Sequence, residues 1–240
     1  MILQKLASAI RHQDWFQVVI EVLIVIVGIF LGLQVQAWYE GKQALVEEGL
    51  MVQNFITNLN YNIEFLEQTR MHTEERISEG YTVLRVLEGE TLEPEDKAIF
   101  ENGISRLDKI RPITAYLNTI NEDNLNKILN VRLRQTLDRF EGTTYQLSLI
   151  TLNLHEFLNH TKSSIMGKAT VLDYPEREKI AIYDFNSLKN DPEFKASYAT
   201  VLSRVSDYQS ILIRLQENSR TMVSILKQHQ AGEILDEVTF

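Results

Sequence analysis

FQVVIEVLIVIVGIFLGLQVQAW, residues Phe16 to Trp38, is one apolar run, and its reading decides the architecture of this 240-residue chain. At about 1.5 Å of helical rise per residue, the core from Val18 to Leu33 with its flanks approaches the roughly 20 residues needed to cross a hydrocarbon layer of about 30 Å. Nothing after it resembles a second span. The run predicts a short cytoplasmic arm over 1–15, a transmembrane helix over 16–38, a helical region over 39–230 and a polar C-terminal tail over 231–240.

Composition narrows the function classes. Cysteine is absent, which removes disulfide scaffolds, thiolate zinc sites and cysteine nucleophiles together. Residues 1–38 hold Lys5 and Arg11 against Asp14 and Glu21, so the formal charge of -9 belongs to the region after the span. With 22 basic against 31 acidic residues there, it lacks the basic footprint that phosphate binding requires, and nucleic acid is disfavoured as a partner.

Orientation follows from the flanks. Lys5, Arg11 and the terminal amine precede the span, whereas Glu40, Glu47 and Glu48 outnumber Lys42 just after it. The positive-inside rule then puts the arm in the cytoplasm and the larger region outside it. A cleaved signal peptide is the rival reading, because Val35-Gln36-Ala37 is an acceptable cleavage site. The length of the apolar run and Glu21 within it favour retention, since a signal h-region spans only about 7 to 15 residues.

Inside the span, Gly28 and Gly32 are four residues apart and share a helix face, as small residues do where two membrane helices approach closely. Glu21, about a turn inside the cytoplasmic edge, either snorkels to the headgroups or makes a polar contact across the same interface. Trp15 and the Trp38-Tyr39 pair mark the two ends, where amphipathic rings favour the membrane surface.

The stretch GIFLGLQVQAWYE, Gly28 to Glu40, resembles the signature of a family of uncharacterised bacterial single-pass membrane proteins, approximately G-I-x-x-x-L-Q-x-x-x-W-x-E at the outer end of an N-terminal span. Gly28, Ile29, Leu33, Gln34, Trp38 and Glu40 match it. The family often has Asn where this chain has Gln36 and Tyr39. A weaker likeness lies at Asp191-Pro192-Glu193-Phe194, before a long C-terminal helix. The resemblance implies anchoring in a bacterial inner membrane, with Gln34, Trp38 and Glu40 at the interface, and it implies no activity.

Beyond the span, apolar residues recur in steps of three and four at Leu45, Val52, Ile56, Leu59, Ile63, Leu66, Ile77, Leu84 and Leu87, interrupted at Gly49, Arg70, Thr73 and Gly80. This predicts one helix continuing out of the membrane to a glycine cap at Gly89, then a shorter helix from Pro94 to about Lys109. Pro112 separates that from a stretch around Ile113 to Ile120. A second long helix is expected from Asn121–Asp123 through Leu125, Ile128, Leu129, Leu133, Leu137, Phe140, Leu147, Ile150, Leu154 and Leu158, loosened at Gly142. Residues 167–190 read as an irregular, exposed segment with a brief apolar piece at Ile180–Phe185. Asp191 then caps a third long helix with a stripe at Phe194, Tyr198, Val201, Val205, Tyr208, Leu212, Leu215, Met222 and Leu226, interrupted at Ser219. The fold class is therefore all-α: a single transmembrane helix continuing into an elongated antiparallel helical bundle.

Motifs for catalysis are missing. His155 and His160 are five apart, so they do not share one helix face as zincin histidines at i and i+4 do, and they read as exposed polar residues. Gly167-Lys168-Ala169-Thr170 lacks the glycine and GK[ST] pattern of a phosphate loop, and no G-x-S-x-G turn occurs. No Glu-x-x-His pair suited to a di-metal bundle is present. The acidic pairs sit at helix starts or on charged faces. The reading is a non-enzymatic, cofactor-free scaffold or interaction module, whose partners are the lipid bilayer and either a second copy or another membrane protein. The alternative is a ligand-sensing bundle that signals through a partner protein.

Overall fold

In the computed structural model, which describes residues 15–107, 110, 113, 122–166, 170–173, 179–235 and 240, the chain is predominantly helical. Helix α1 covers Trp15–Glu88, and a 3-10 turn at Pro94–Asp96 leads into α2, Lys97–Arg106. A single turn, α3, spans Glu122–Leu125, followed by the long α4, Val131–Met166. Strands β1, Thr170–Asp173, and β2, Lys179–Ile182, precede α5, Phe185–Lys189, and α6, Pro192–Gln230. The chain divides after Leu50 into two units.

Helix ends follow local chemistry. Gly89, at φ 129°, terminates α1, where its amide and that of Glu90 bond back to the carbonyls of Val86 and Arg85. Gly232, at φ 72°, closes α6 in the same way through His229 and Gln228. The Asp191 carboxylate accepts from the amides of Glu193 and Phe194, both at 3.0 Å, and Pro192 occupies the first turn, where its missing N–H costs nothing.

In the unit from Met51, α1, α4 and α6 share two apolar clusters. One joins Val52, Phe55, Ile56 and Leu59 of α1 to Leu133, Leu137 and Phe140 of α4 and Met222 to Leu226 of α6. The other joins Leu66 and Val83 to Leu87 with Phe100, Ile104 and Leu107, Leu147 to Leu158, and Phe194 to Leu215. Every residue of the third expected stripe, from Phe194 to Leu226, is buried. Contacts between α1 and α6 pair Gln53 with Gln230, Glu67 with Gln216 and Gly80 with Leu202, the numbering rising along one helix as it falls along the other.

Four expectations are corrected. The second long helix is not continuous: α3 ends at Leu125, and Asn130 starts α4 afresh, its Oδ1 accepting from the Leu133 amide at 3.0 Å. On the expected stripe, Leu129 and Ile150 are exposed, the former in that break and the latter because Thr151 takes the inward place. The segment expected to be irregular contains an antiparallel ribbon pairing Thr170 with Ile182 and Asp173 with Lys179. Its β-branched Thr170, Val171, Ile180 and Ile182 favour strand, but runs of four are too short to show periodicity. At the chain end, Leu235 is buried and the Phe240 ring lies 5.4 Å from Phe140, so the region after 231 is not polar throughout. Gly142 lies within α4 without ending it. Residues 114–121 and the arm over 1–14 lie outside the described residues.

Two glycines differ sharply in surroundings. A Cβ at Gly103 would lie 2.6 Å from Val83 Cγ2 and 2.8 Å from the Glu79 carbonyl oxygen, whereas one at Gly142 meets nothing within 4 Å. Gly103→Ala should therefore destabilise the fold by about 1–3 kcal/mol, because backbone must move. Gly142→Ala should stabilise it by up to about 1 kcal/mol through helix propensity. Urea unfolding followed by circular dichroism tests both signs; a neutral Gly103→Ala contradicts this packing.

Candidate functional site

The residues singled out in the apolar run all lie on α1. Glu21, Gly28 and Gly32 are separated by steps of seven and four, within one broad face, and a Cβ built on either glycine meets nothing within 4 Å. The shallow depression bounded by Glu21, Val22, Val25 and Ile26 is the groove between successive side chains of one helix, and its lining offers no convergent polar groups for a small molecule. Nearby, Gln34 and Trp38 fall one turn apart, and the Lys42 ammonium sits 4.2 Å from the Trp38 ring centroid. Glu40 accepts from the Gln36 side chain at 2.8 Å. Glu21, Gly28 and Gly32 thus share one face, while Trp38 with Lys42 and Glu40 with Gln36 form two separate one-turn pairs on different sides of the helix.

A second set of polar residues was not legible as a group in the sequence. Between the two apolar clusters, Gln216, only 4% exposed, donates to Glu67 Oε2 at 2.6 Å and to the Ile63 carbonyl at 3.3 Å. Arg70 reaches Glu67 at 2.8 Å and Glu74 at 3.1 Å, while Arg220 stands 3.8 Å from Glu67. Hydrogen bonds from Arg70 and Gln216 hold the Glu67 carboxyl down at about 2. Ser219, the interruption in the third stripe, is buried and satisfied by donating to the Leu215 carbonyl at 2.7 Å. A polar layer ties α1 to α6 at the level where the apolar stripes pause.

The histidine expected to be exposed is structural. His155 is half-buried; its Nδ1 lies 2.9 Å from the Ile110 carbonyl oxygen, and its Nε2 3.0 Å from Asn159 Nδ2. A proton on Nδ1 satisfies both contacts, with Nε2 accepting from the amide. One turn earlier, buried Thr151 Oγ1 accepts from the Ile113 amide at 3.1 Å and donates to the Ser148 carbonyl at 2.8 Å. Together these side chains strap Ile110 and Ile113 to α4. Among the described residues no three His, Asp or Glu side chains gather as metal ligands.

A third polar point lies where α1, α2 and α6 meet. Tyr198, fully buried, donates its hydroxyl to the Gly103 carbonyl at 2.9 Å. Beside it is Glu79, 7% exposed, whose carboxyl is pushed above the usual range chiefly by burial. Burial and the neighbouring Glu79 raise the Tyr198 hydroxyl well above the tyrosine range, so it acts as a hydrogen-bond donor and not as a proton-transfer group. The sequence signal for this point was the pair of small residues, Gly80 and Gly103, set among apolar positions.

Comparison with known proteins finds no matching family model, no matching curated protein and no matching solved structure.

Glu67 makes a pH prediction. Its carboxyl lies lower in the folded chain, at about 2, than the ordinary 4.5, so the stability it lends is complete above the ordinary value and drains away as pH falls toward the lower one. Acid unfolding of the parent should therefore be steeper over that window than that of Glu67→Gln, which retains the acceptor for Gln216 but does not titrate. Equal acid slopes would show that this link contributes nothing to folding.

Proposed function

We propose that this chain is a membrane-anchored, non-enzymatic interaction module. One helix crosses a bacterial inner membrane with its N-terminal arm in the cytoplasm. The region from Met51 is an antiparallel helical bundle held outside the cytoplasm as a scaffold for a second copy or another membrane protein. The supporting observation is a contrast in burial. From Val19 to Val35 the large apolar side chains are 40–64% exposed, in a helix whose most apolar window has a mean hydropathy of 2.3. The region after Met51, by comparison, covers its own apolar stripes in two clusters. So large an uncovered apolar surface calls for lipid or another helix beside it. The resemblance of Gly28–Glu40 to the single-pass family signature agrees with this reading. Buried charge among the described residues is carboxylate, at Glu48 and Glu79, and includes no arginine to receive an anionic ligand. That favours scaffolding over sensing.

Topology is tested by fusing to Phe240 a reporter active only outside the cytoplasm. It should be active, and the chain should stay in membranes through a carbonate wash. An intact but inactive fusion reverses the orientation, and a released species beginning at Trp38 establishes cleavage after Ala37.

The Gly28/Gly32 face is tested by single-cysteine crosslinking, which is clean because the native chain has no cysteine. A probe at Gly28 should crosslink more strongly than lipid-facing controls. Replacing both glycines by Ile should weaken association without impairing insertion. If Gly28 probes behave as the controls do, and the double variant keeps every partner, the span is an anchor alone.

A further inference from the structure

Glu79 occupies a position where a carboxylate is poorly served. It is 7% exposed, and although the Asn102 side chain bonds its carboxyl group, its Oε2 is buried with no hydrogen-bond partner. The neighbouring Tyr198 hydroxyl is already committed, because it is given to the Gly103 carbonyl at 2.9 Å. Space for another group is small as well. A Cβ on Gly103 would come within 2.8 Å of the Glu79 carbonyl oxygen, and one on Gly80 within 2.7 Å of Leu202 Cδ1, so α2 and α6 both lie tightly against α1 here.

The charged and titratable groups facing Glu79 come from all three helices. On α1, Glu75 opposes its ionisation and Arg76 favours it; on α2, Arg106 favours it; on α6, Tyr198 stands beside it. Burial outweighs the two arginines, so the protonated form is the one the crossing prefers. A carboxylic acid brings its own donor and no net charge, whereas a carboxylate leaves an oxygen uncompensated in a nearly dry contact.

We infer that the Glu79 carboxyl is a proton-controlled latch on α2: protonated, it lets α2 close on α1 and α6, and ionised, it loosens that crossing. The consequence extends beyond α2. Phe100, fully buried on that helix, carries the Tyr183 and Phe185 rings at 5.6 and 5.8 Å, and β2 lies against the same helix. Loosening α2 therefore frees the seat of the ribbon and of α5, which turns a proton into a change of surface. Because the folded value lies above the ordinary 4.5, the latch is closed below that value and opens as pH rises through the folded one.

Hydrogen exchange on the full-length chain in detergent micelles tests this directly. After correction for intrinsic rates, amides of Lys97–Arg106 should lose protection by about threefold or more between about pH 5 and about pH 8, while the Glu79→Gln variant stays flat. If the variant shows the same pH dependence as the parent, the latch is refuted. Should Glu79→Gln fail to fold, the parent's infrared spectrum decides. One protonated-carboxyl stretch that persists to higher pH than those of the solvated carboxylates is expected, and its disappearance together with theirs means that the inference is wrong.

Discussion

The tightest constraint in the molecule is the approach of α2 and α6 to α1 at Gly80 and Gly103. Each glycine stands where a single methyl group would collide, with Leu202 in one case and with Val83 and the Glu79 backbone in the other. At Gly103 the approach is to the Glu79 backbone, whereas at Gly80 it is to the Leu202 side chain, and Val83, Leu87, Phe100, Ile104 and Tyr198 pack around the crossing. Tyr198 makes the arrangement directional. Its ring is buried and its hydroxyl must find an acceptor, which fixes α6 against the carbonyl of one particular residue on α2.

Polar groups elsewhere in the interior act in the same way. Apolar stripes alone allow helices to slide by a turn at small cost, whereas a buried Gln216 has to stay opposite Glu67 and the Ile63 carbonyl, or lose its bonds. Thr151 and His155 do this for Ile110 and Ile113, which have no helix of their own to hold them. The interior therefore has apolar clusters for stability and a few hydrogen-bonded points for register. Both ends of α6 are closed by local caps, so its length is set independently of that packing.

This division bears on the proposed role. The region from Met51 covers apolar stripes in two clusters, whereas the apolar helix before it is uncovered, and it is that helix which the proposed association would use. Elsewhere, α4 exposes Tyr145, Leu149, Ile150 and Phe157, yet the last already has the Arg204 guanidinium 5.6 Å from its ring centroid. Scattered exposed apolar residues of this sort are ordinary, and the apolar helix near the N-terminus remains the feature that sets this chain apart.

What was legible from the residues alone were the elements whose cause is local. The apolar run, the glycine stop at Gly89, the Asp191-Pro192 start and the stripe from Phe194 to Leu226 all follow from periodicity and capping, which involve only neighbours in the chain. The same reasoning missed the Asn130 restart, because asparagine within an apolar period is read as a helix position until its side chain is seen to cap the Leu133 amide three residues on. It also missed the ribbon, whose pairing joins two runs too short to show a period. The sequence by itself determined that the long segments are helical and that the face from Phe194 to Leu226 is apolar, since those depend on steps of three and four. Only the tertiary structure decided that Gly103 meets Glu79, that Gln216 meets Glu67 and that His155 holds Ile110. Those contacts join residues 24, 149 and 45 positions apart, and no local period encodes them.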